Sequence, residues 1–406
     1  MMQITDLQQE QQITPFFRLG FRPFFLSGAL FSVIAIVIWL LILKGKFALQ
    51  PLGSGYWWHI HEMIFGFVCA IIAGFLLTAV QNWTGTRGIY GAKLMLLFTV
   101  WLLGRIVMLY PQLLGNNLST FIDLSFLPLT AFFLAQPIFK VKQYRNLFFI
   151  PLLGLFTLAN LEMHLAIYYP NTFTITFAGY SGVMLVIFLM SVMSGRVLPM
   201  FTANGTGTQK VLPIKALEIV TNGSLAIAML SLLLQPLIGF NKTVFAIILI
   251  IAGLAQAFRW LRLRPWITLG VPLLWSFHFA ILFVWFGLII LGLSYLQNDL
   301  SVSKVPVNHV WHLLTIGGIG GIILAMTSRV SLGHTGRPLA PPKIMNLAFL
   351  AISLAALIRV FGPLLAPEKA LLFYDISGFC WIIAFGCFVF KYGPMLLSNR
   401  ADDRPG

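Results

Sequence analysis

The sequence predicts an all-α polytopic membrane protein with about twelve transmembrane helices. Three observations predict it. Of 406 residues, 59% are hydrophobic and only 9% charged, where soluble domains average roughly 25% charged. The apolar residues gather into runs of about 20, the length of helix that crosses a bilayer core of roughly 30 Å. The Lys and Arg residues fall almost wholly between those runs. This composition excludes a water-soluble enzyme, a disordered chain and a disulfide scaffold. A net charge of +15 would suggest nucleic acid in a soluble protein. Here the positives sit in loops between spans, so the lipid bilayer is the expected partner and nucleic acid is not.

Reading apolar runs between polar or Gly/Pro breaks gives spans at 21–43, 57–81, 91–111, 117–139, 145–165, 175–196, 212–238, 242–262, 267–297, 305–329, 343–364 and 369–392. The first follows a polar stretch, Met1 to Pro15, with two acids and no Lys or Arg, which is not a signal peptide. The second opens on Trp57-Trp58-His59 and the fifth closes on Asn160 to His164. The tenth carries His309-Val310-Trp311-His312. The least marked breaks lie between spans 7 and 8 and within the ninth run. Cys69, Cys380 and Cys387 lie inside apolar runs without a Cys-x-x-Cys pair, so neither a disulfide nor a thiolate metal site is expected. The organisation is an N-terminal cytoplasmic segment 1–20, one twelve-span domain 21–397 and a cytoplasmic tail 398–406.

Orientation follows from the basic residues. One set of span ends, including Arg18, Arg87, Lys140, Arg196, Arg262, Arg337 and Arg400, holds 19 of them. The other set holds five: Lys44, Lys46, Lys242, Lys304 and Lys369. Both termini are thus expected in the cytoplasm. Three even spans end in similar segments, Asn82-Trp83-Thr84-Gly85, Thr202-Ala203-Asn204-Gly205 and His334-Thr335-Gly336-Arg337, and spans 6 and 10 share a Met-x-x-Arg-Val approach. A spacing of about 120–130 residues would give a 4+4+4 pseudo-threefold repeat. The plain alternative is chance likeness among Gly/Thr-rich turns.

Ionisable residues inside a bilayer are costly, and each is a functional-site hypothesis. The orientation sends His59, His61, His164, His309 and His312 toward the outer leaflet. His278 falls near the midplane and His334 in a cytoplasmic loop. Arg105, Asp123, Arg359 and Asp375 also fall in the outer half, and Glu218 near the inner end of span 7. Imidazoles gathered at one depth suit haem iron, copper or another first-row metal. His61 and His312, on spans running the same way, would reach a common depth and could clamp one haem, with Glu62 and Trp311 tuning them. Arg105 and Arg359 would then hold its propionates, with Asp123 and Asp375 as the ion-pair alternative. His59 points about 200° away from His61 and fits a second metal with His164 or His278 better. Against these stand plainer roles: His59 and His309 as interfacial anchors, His164 at a helix end, His278 as a satisfied core residue. No Cys-x-x-Cys-His is present, so any haem is held without thioether bonds.

At these residues the chain resembles the NnrS family of bacterial inner-membrane proteins over nearly its whole length. The matching segments run Gly20 to Leu26, His59 to Phe67, Gly74 to Val80, Asn82 to Gly85, Gly195 to Gly205 and Leu332 to Leu339. The resemblance implies a haem-bearing, copper-associated protein of the bacterial inner membrane, linked to nitric oxide and nitrosative stress. Haem b and copper are the cofactors it implies, and nitric oxide or a related nitrogen species, with an unidentified electron donor, the partners. Residue by residue it carries over His59, His61, His164, His278 and His312 as metal-binding positions; His309 is less typical of the family. Twelve spans with His on spans 2 and 10 also resemble, in part, the catalytic subunit of haem-copper oxidases and nitric oxide reductases. Spans 6 and 7, which supply second-metal ligands there, hold no His here. A haem site that binds or turns over nitric oxide near the outer leaflet is the leading expectation. A transporter of a metal, haem or nitrosyl-iron species, and a haem-binding sensor or assembly factor, are the alternatives.

Overall fold

A computed structural model describes residues 7–46, 50–297 and 306–405. Lys304 and the expected start of the tenth span lie outside the described residues. Among the described residues there is no β-strand, and twelve helices are long and apolar enough to cross a membrane. They are α1 (Phe21–Leu43), α2 (Gly55–Thr84), α3 (Gly91–Leu109), α4 (Asn116–Lys140), α5 (Tyr144–Tyr168), α6 (Ile175–Thr206), α7 (Lys215–Leu233), α8 (Lys242–Arg262), α9 (Pro272–Leu296), α10 (Val307–His334), α11 (Ile344–Leu365) and α12 (Pro367–Leu397). The chain is a multi-pass membrane protein.

Helix ends differ from the sequence reading where local chemistry overrides hydropathy. α6 and α10 run on to Thr206 and His334, because threonine hydroxyls satisfy carbonyls one turn back. Thr206 Oγ1 donates to Thr202 O at 2.7 Å, and Thr335 Oγ1, just past α10, donates to Ser331 O at 2.6 Å. α7 stops at Leu233, since Pro236 cannot continue it and sits in a separate turn, Gln235–Ile238. α9 starts at Pro272, a residue suited to a first helical position, after a short turn at Pro265–Thr268.

Three of these ends share a motif, in a register shifted at span 6 from the one read in the sequence. α2, α6 and α10 are each followed by a left-handed glycine next to a threonine: Thr84-Gly85, Thr206-Gly207 and Thr335-Gly336, with φ of 63°, 67° and 72°. Gly207, not the expected Gly205, is therefore the counterpart of Gly85. The left-handed conformation closes a helix C-terminus, and glycine enters it without steric cost. These three helices are also the most enclosed, with 83%, 61% and 78% of their most apolar stretch buried.

α2 and α10 share a second device. Each changes from α-helix to a wider π-helical stretch immediately after a histidine. In α2 the stretch is Glu62–Val68, after His61, and in α10 it is Leu313–Gly320, after His312. From 61 to 85 and from 312 to 336 the distance is 24 residues in both, so the two histidines are equivalent positions. Their counterpart in α6 is Val183. Such wide turns are rare and recur at functional sites.

The chain divides into two compact units. The first comprises the described residues of 1–179, 327–339 and 385–406, and the second 180–326 and 340–384. In the first, α1 lies close on α2: a Cβ added at Gly74 would come within 2.9 Å of Phe24 Cβ. The C-terminal segment is tied back by arginines. Arg22 Nη1 donates to Leu396 O at 3.0 Å and Ser398 O at 2.7 Å, and Arg18 Nη1 donates to Asn399 Oδ1 at 2.8 Å. Arg400 pairs with Asp402 and holds its carboxyl down to about 2 from an ordinary 3.8. That pairing is fully present above the ordinary carboxylate range and is lost only as pH falls through about 2. In the second unit, α8 and α9 approach closely through Gly253 and Gly292. A Cβ on these would meet Trp285 O at 2.9 Å and Ala246 O at 2.7 Å respectively.

Candidate metal centre

Four helices of the first unit bring six polar side chains into one buried cluster. α2 supplies His61 and Glu62 at its change of helix type, α3 supplies Arg105, α4 supplies Asp123, and α5 supplies Asn160 and His164. None is more than 6% exposed. Asn160 and His164 share a face of α5 because they are four residues apart. Gly66 makes the close approach possible: a Cβ there would lie 2.5 Å from Arg105 Nη1 and 2.9 Å from Glu62 Oε2. Its carbonyl accepts from Trp101 Nε1 at 2.8 Å, one turn before Arg105 on α3.

His61 is engaged through both ring nitrogens. Nδ1 faces Glu62 Oε1 at 2.9 Å, while Nε2 faces Asp123 Oδ2 at 3.0 Å and Asn160 Oδ1 at 2.9 Å. His164 Nε2 lies 3.1 Å from the same Asp123 Oδ2, and its Nδ1 is 3.2 Å from Thr120 Oγ1. Asn160 Nδ2 donates to Asp123 Oδ2 at 2.8 Å. Arg105 donates from Nη1 to Glu62 Oε1 at 2.6 Å and from Nη2 to Asp123 Oδ1. Trp57 fixes both imidazoles. Its ring stacks on His61 at 4.4 Å and meets His164 edge-on at 5.3 Å, and its Nε1 donates to Met163 O at 2.6 Å.

Without a proton on His61, whose two ring nitrogens both face oxygen acceptors, the charges do not balance. Glu62 and Asp123 bring two negatives against the single Arg105, and Glu62 Oε2 is buried without a hydrogen-bond partner. A cation or a proton must supply the rest, since an uncompensated buried charge costs several kcal/mol. A metal fits. One ligand atom from each of His61, His164 and Asp123 lies within 4.8 Å of the other two. Ligands about 2.0–2.1 Å from a tetrahedral first-row ion are roughly 3.3 Å apart, close to the 3.0 and 3.1 Å separations from the aspartate oxygen. The other ring nitrogens meet Glu62 and Thr120, the kind of support that orients metal-binding histidines. Two histidines with one carboxylate is a donor set of first-row redox metals.

A haem on His61 does not fit this arrangement, because Nε2 is enclosed by Asp123 and Asn160 and would have to give up both. His312 belongs to the second unit. Its Nδ1 donates to Asn308 O at 2.9 Å, which selects the tautomer with the lone pair on Nε2. Arg359, also in the second unit, lies over the Tyr374 ring at 4.0 Å, and its Nη1 is buried without a partner.

Of the residues expected from sequence, His61, His164 and Arg105 come together. Arg105 pairs with Asp123 and Glu62, the ion-pair alternative. His59 stacks on Trp39 at 4.4 Å instead of joining them. His278, His309, His312 and Arg359 belong to the second unit. There His278 Nε2 meets Thr202 Oγ1 at 3.0 Å, and His309 Nε2 lies 3.4 Å from Tyr374 Oη. Asp123 and Asn160 were not among the expected ligands. The signal for Asn160 was its place one turn before His164, and for Asp123 its rarity as an acid within a span.

A family model described as NnrS protein matches residues 15–400. No curated protein matches the chain.

Proposed function

Because the chain belongs to the NnrS family, we propose that it is a metal-dependent protein of the nitric oxide response in the bacterial inner membrane. It binds nitric oxide, or a related nitrogen species, at a first-row metal held by His61, His164 and Asp123. Copper suits these donors. The observation that carries this reading is the buried, charge-deficient cluster of two imidazoles and a carboxylate already near metal-ligand spacing. When bound, such a metal supplies an open coordination position and one-electron chemistry. The chain's own residues fix the imidazoles through Glu62, Thr120 and Trp57, hold the carboxylate through Arg105 and Asn160, and keep bulk water out.

A haem b is the second cofactor of this reading, on His312, with Arg359 Nη1 as the partner for an anionic propionate. Its support is the tautomer set by Asn308 and the unpartnered guanidinium nitrogen.

One set of purified proteins tests both. Wild type should contain haem and a further transition metal, and nitric oxide should alter the optical or paramagnetic spectrum. His61→Ala and His164→Ala should each lose the non-haem metal and keep haem. His312→Ala should lose haem and keep the metal. Full non-haem metal in the first two variants would sink the centre, and full haem in the third would sink the haem assignment.

The orientation reading places both termini in the cytoplasm, on the strength of the 19-to-5 partition of basic residues. Reporter fusions at residues 90 and 400 should both read inside, and an outside reading at either would reverse the assignment.

A further inference from the structure

The equivalence of His61 and His312 extends to the helices that follow them, but the charges there are left in opposite states. In the first unit His61 on α2 is followed by Arg105 on α3 and Asp123 on α4. In the second, His312 on α10 is followed by Arg359 on α11 and Asp375 on α12. The first series carries a further acid, Glu62, next to its histidine. The count that equates His61 with His312 puts Leu313 at the position of Glu62. Arg105 meets two carboxylates, Glu62 at 2.6 Å and Asp123. Arg359 meets none among the described residues, Asp375 included, and the group that acts on it is the phenol of Tyr374. With neutral imidazoles the first cluster is short of a positive charge, whereas Arg359 is short of a negative one.

Tyr374 joins two unsatisfied donors. Arg359 lies over its ring at 4.0 Å. His309, in the first turn of α10, meets the same ring at a steep angle, with Nε2 3.4 Å from Tyr374 Oη. With Oη–H donating to Nε2, the imidazole carries its own proton on Nδ1. His309 Nδ1 and Arg359 Nη1 are both buried without a hydrogen-bond partner. The two residues also lie within electrostatic reach of each other. Both keep part of their surface exposed, so the place borders the surface of the second unit.

Two N–H donors, one of them on a permanent cation, with no acid to engage them, define the ligand. A cation is repelled by Arg359, and a neutral molecule leaves its charge uncompensated. A doubly charged phosphate or sulfate brings one charge more than Arg359 neutralises. A monovalent oxyanion fits, accepting a charge-assisted hydrogen bond from Arg359 Nη1 and a second bond from His309 Nδ1. We propose that His309, Arg359 and Tyr374 form a binding site for a carboxylate-like oxyanion. His309 is then a donor to that anion and not a metal ligand, and Tyr374 sets its tautomer. The proposal rests on the assignment of Arg359 to an anionic partner and is independent of the centre at His61. A propionate of a bound haem and a free anion such as nitrite present the same pair of oxygens.

Calorimetric titration of the purified full-length protein in detergent with sodium nitrite and with sodium formate tests it, alongside the haem content and midpoint potential of the same samples. Two results support the site and separate the sources. Saturable one-to-one binding of these salts, weakened roughly tenfold or more in both Arg359→Met and His309→Phe, identifies a free anion; that is the scale of one lost hydrogen bond to a charged group. No binding of either salt, with haem lost or its potential shifted in both variants, identifies a propionate. Binding that either variant retains in full overturns the proposal, as does an absence of binding with haem missing from wild type or unchanged in either variant. Tyr374→Phe keeps the ring beneath Arg359 and removes only the hydroxyl. It should weaken whichever signal wild type shows, and it decides the matter if the other variants fail to fold. His312→Ala keeps the haem reading apart: full haem in that variant refutes the iron ligand alone, while the titrations judge the anion site.

Discussion

Replacing Asp123 with Asn is expected to strip the non-haem metal from the purified protein, lowering its affinity by more than roughly 100-fold. The magnitude follows from how many contacts run through one carboxylate. Losing a group that merely supports a ligand costs about 10–100-fold in metal affinity. Asp123 does more: Oδ2 faces His61, His164 and Asn160, and Oδ1 accepts from Arg105. The substitution keeps the volume and removes one negative charge, so the remaining Glu62–Arg105 pair is balanced and the need for a cation disappears. Protein should therefore still be recovered folded, with unchanged elution from a sizing column in detergent. Metal content equal to wild type would show that the cluster is a structural polar network and nothing more.

Arg105→Met is expected to destabilise the first unit by about 3–5 kcal/mol, the cost of removing one partner from a buried ion pair. Glu62 and Asp123 would then face each other without a cation on α3. Adding Glu62→Gln to Arg105→Met lowers the uncompensated charge and should recover more than half of the loss. Thermal unfolding in detergent measures both. The comparison separates charge from packing, because the double variant has no more van der Waals contact than the single one. If Arg105→Met unfolds at the wild-type temperature, the two-against-one charge count is not what holds the cluster together.

Most of the fold was legible because a membrane span is a property of one segment. Length, apolar composition and flanking polar residues decide it, and all twelve helices lie close to the runs read from sequence. The ends were less legible where a single hydroxyl or proline decides the last turn, as at Thr206 and Pro236. The candidate site was legible in half. His61, His164 and Arg105 stand out because a titratable residue in a span is rare. Which of them meet depends on the rotation of four helices about their axes, and sequence gives no absolute angle for that. Asp123 could be placed at the right depth but not against His61. His59, two residues from His61, illustrates the converse: the helical rotation correctly set it on another face, yet the neighbour it finds there is Trp39. Pairing His61 with His312 rested on their common depth. Their sequence equivalence does appear in the structure, through the matched π-helical stretches and the glycines 24 residues on.

Those widened stretches also change how α2 responds to evolution. A π turn holds one more residue than the α turn it replaces, so the helix on one side of it is out of phase with the helix on the other. The half that carries His61 and the half that packs Gly74 against α1 therefore follow separate helical registers. A single-residue deletion in the regular helix between 69 and 73 would swing His61 by about 100° relative to Gly74 without altering one side chain of the cluster. The vulnerability of the centre thus lies in the counting of residues along α2 as much as in their identity.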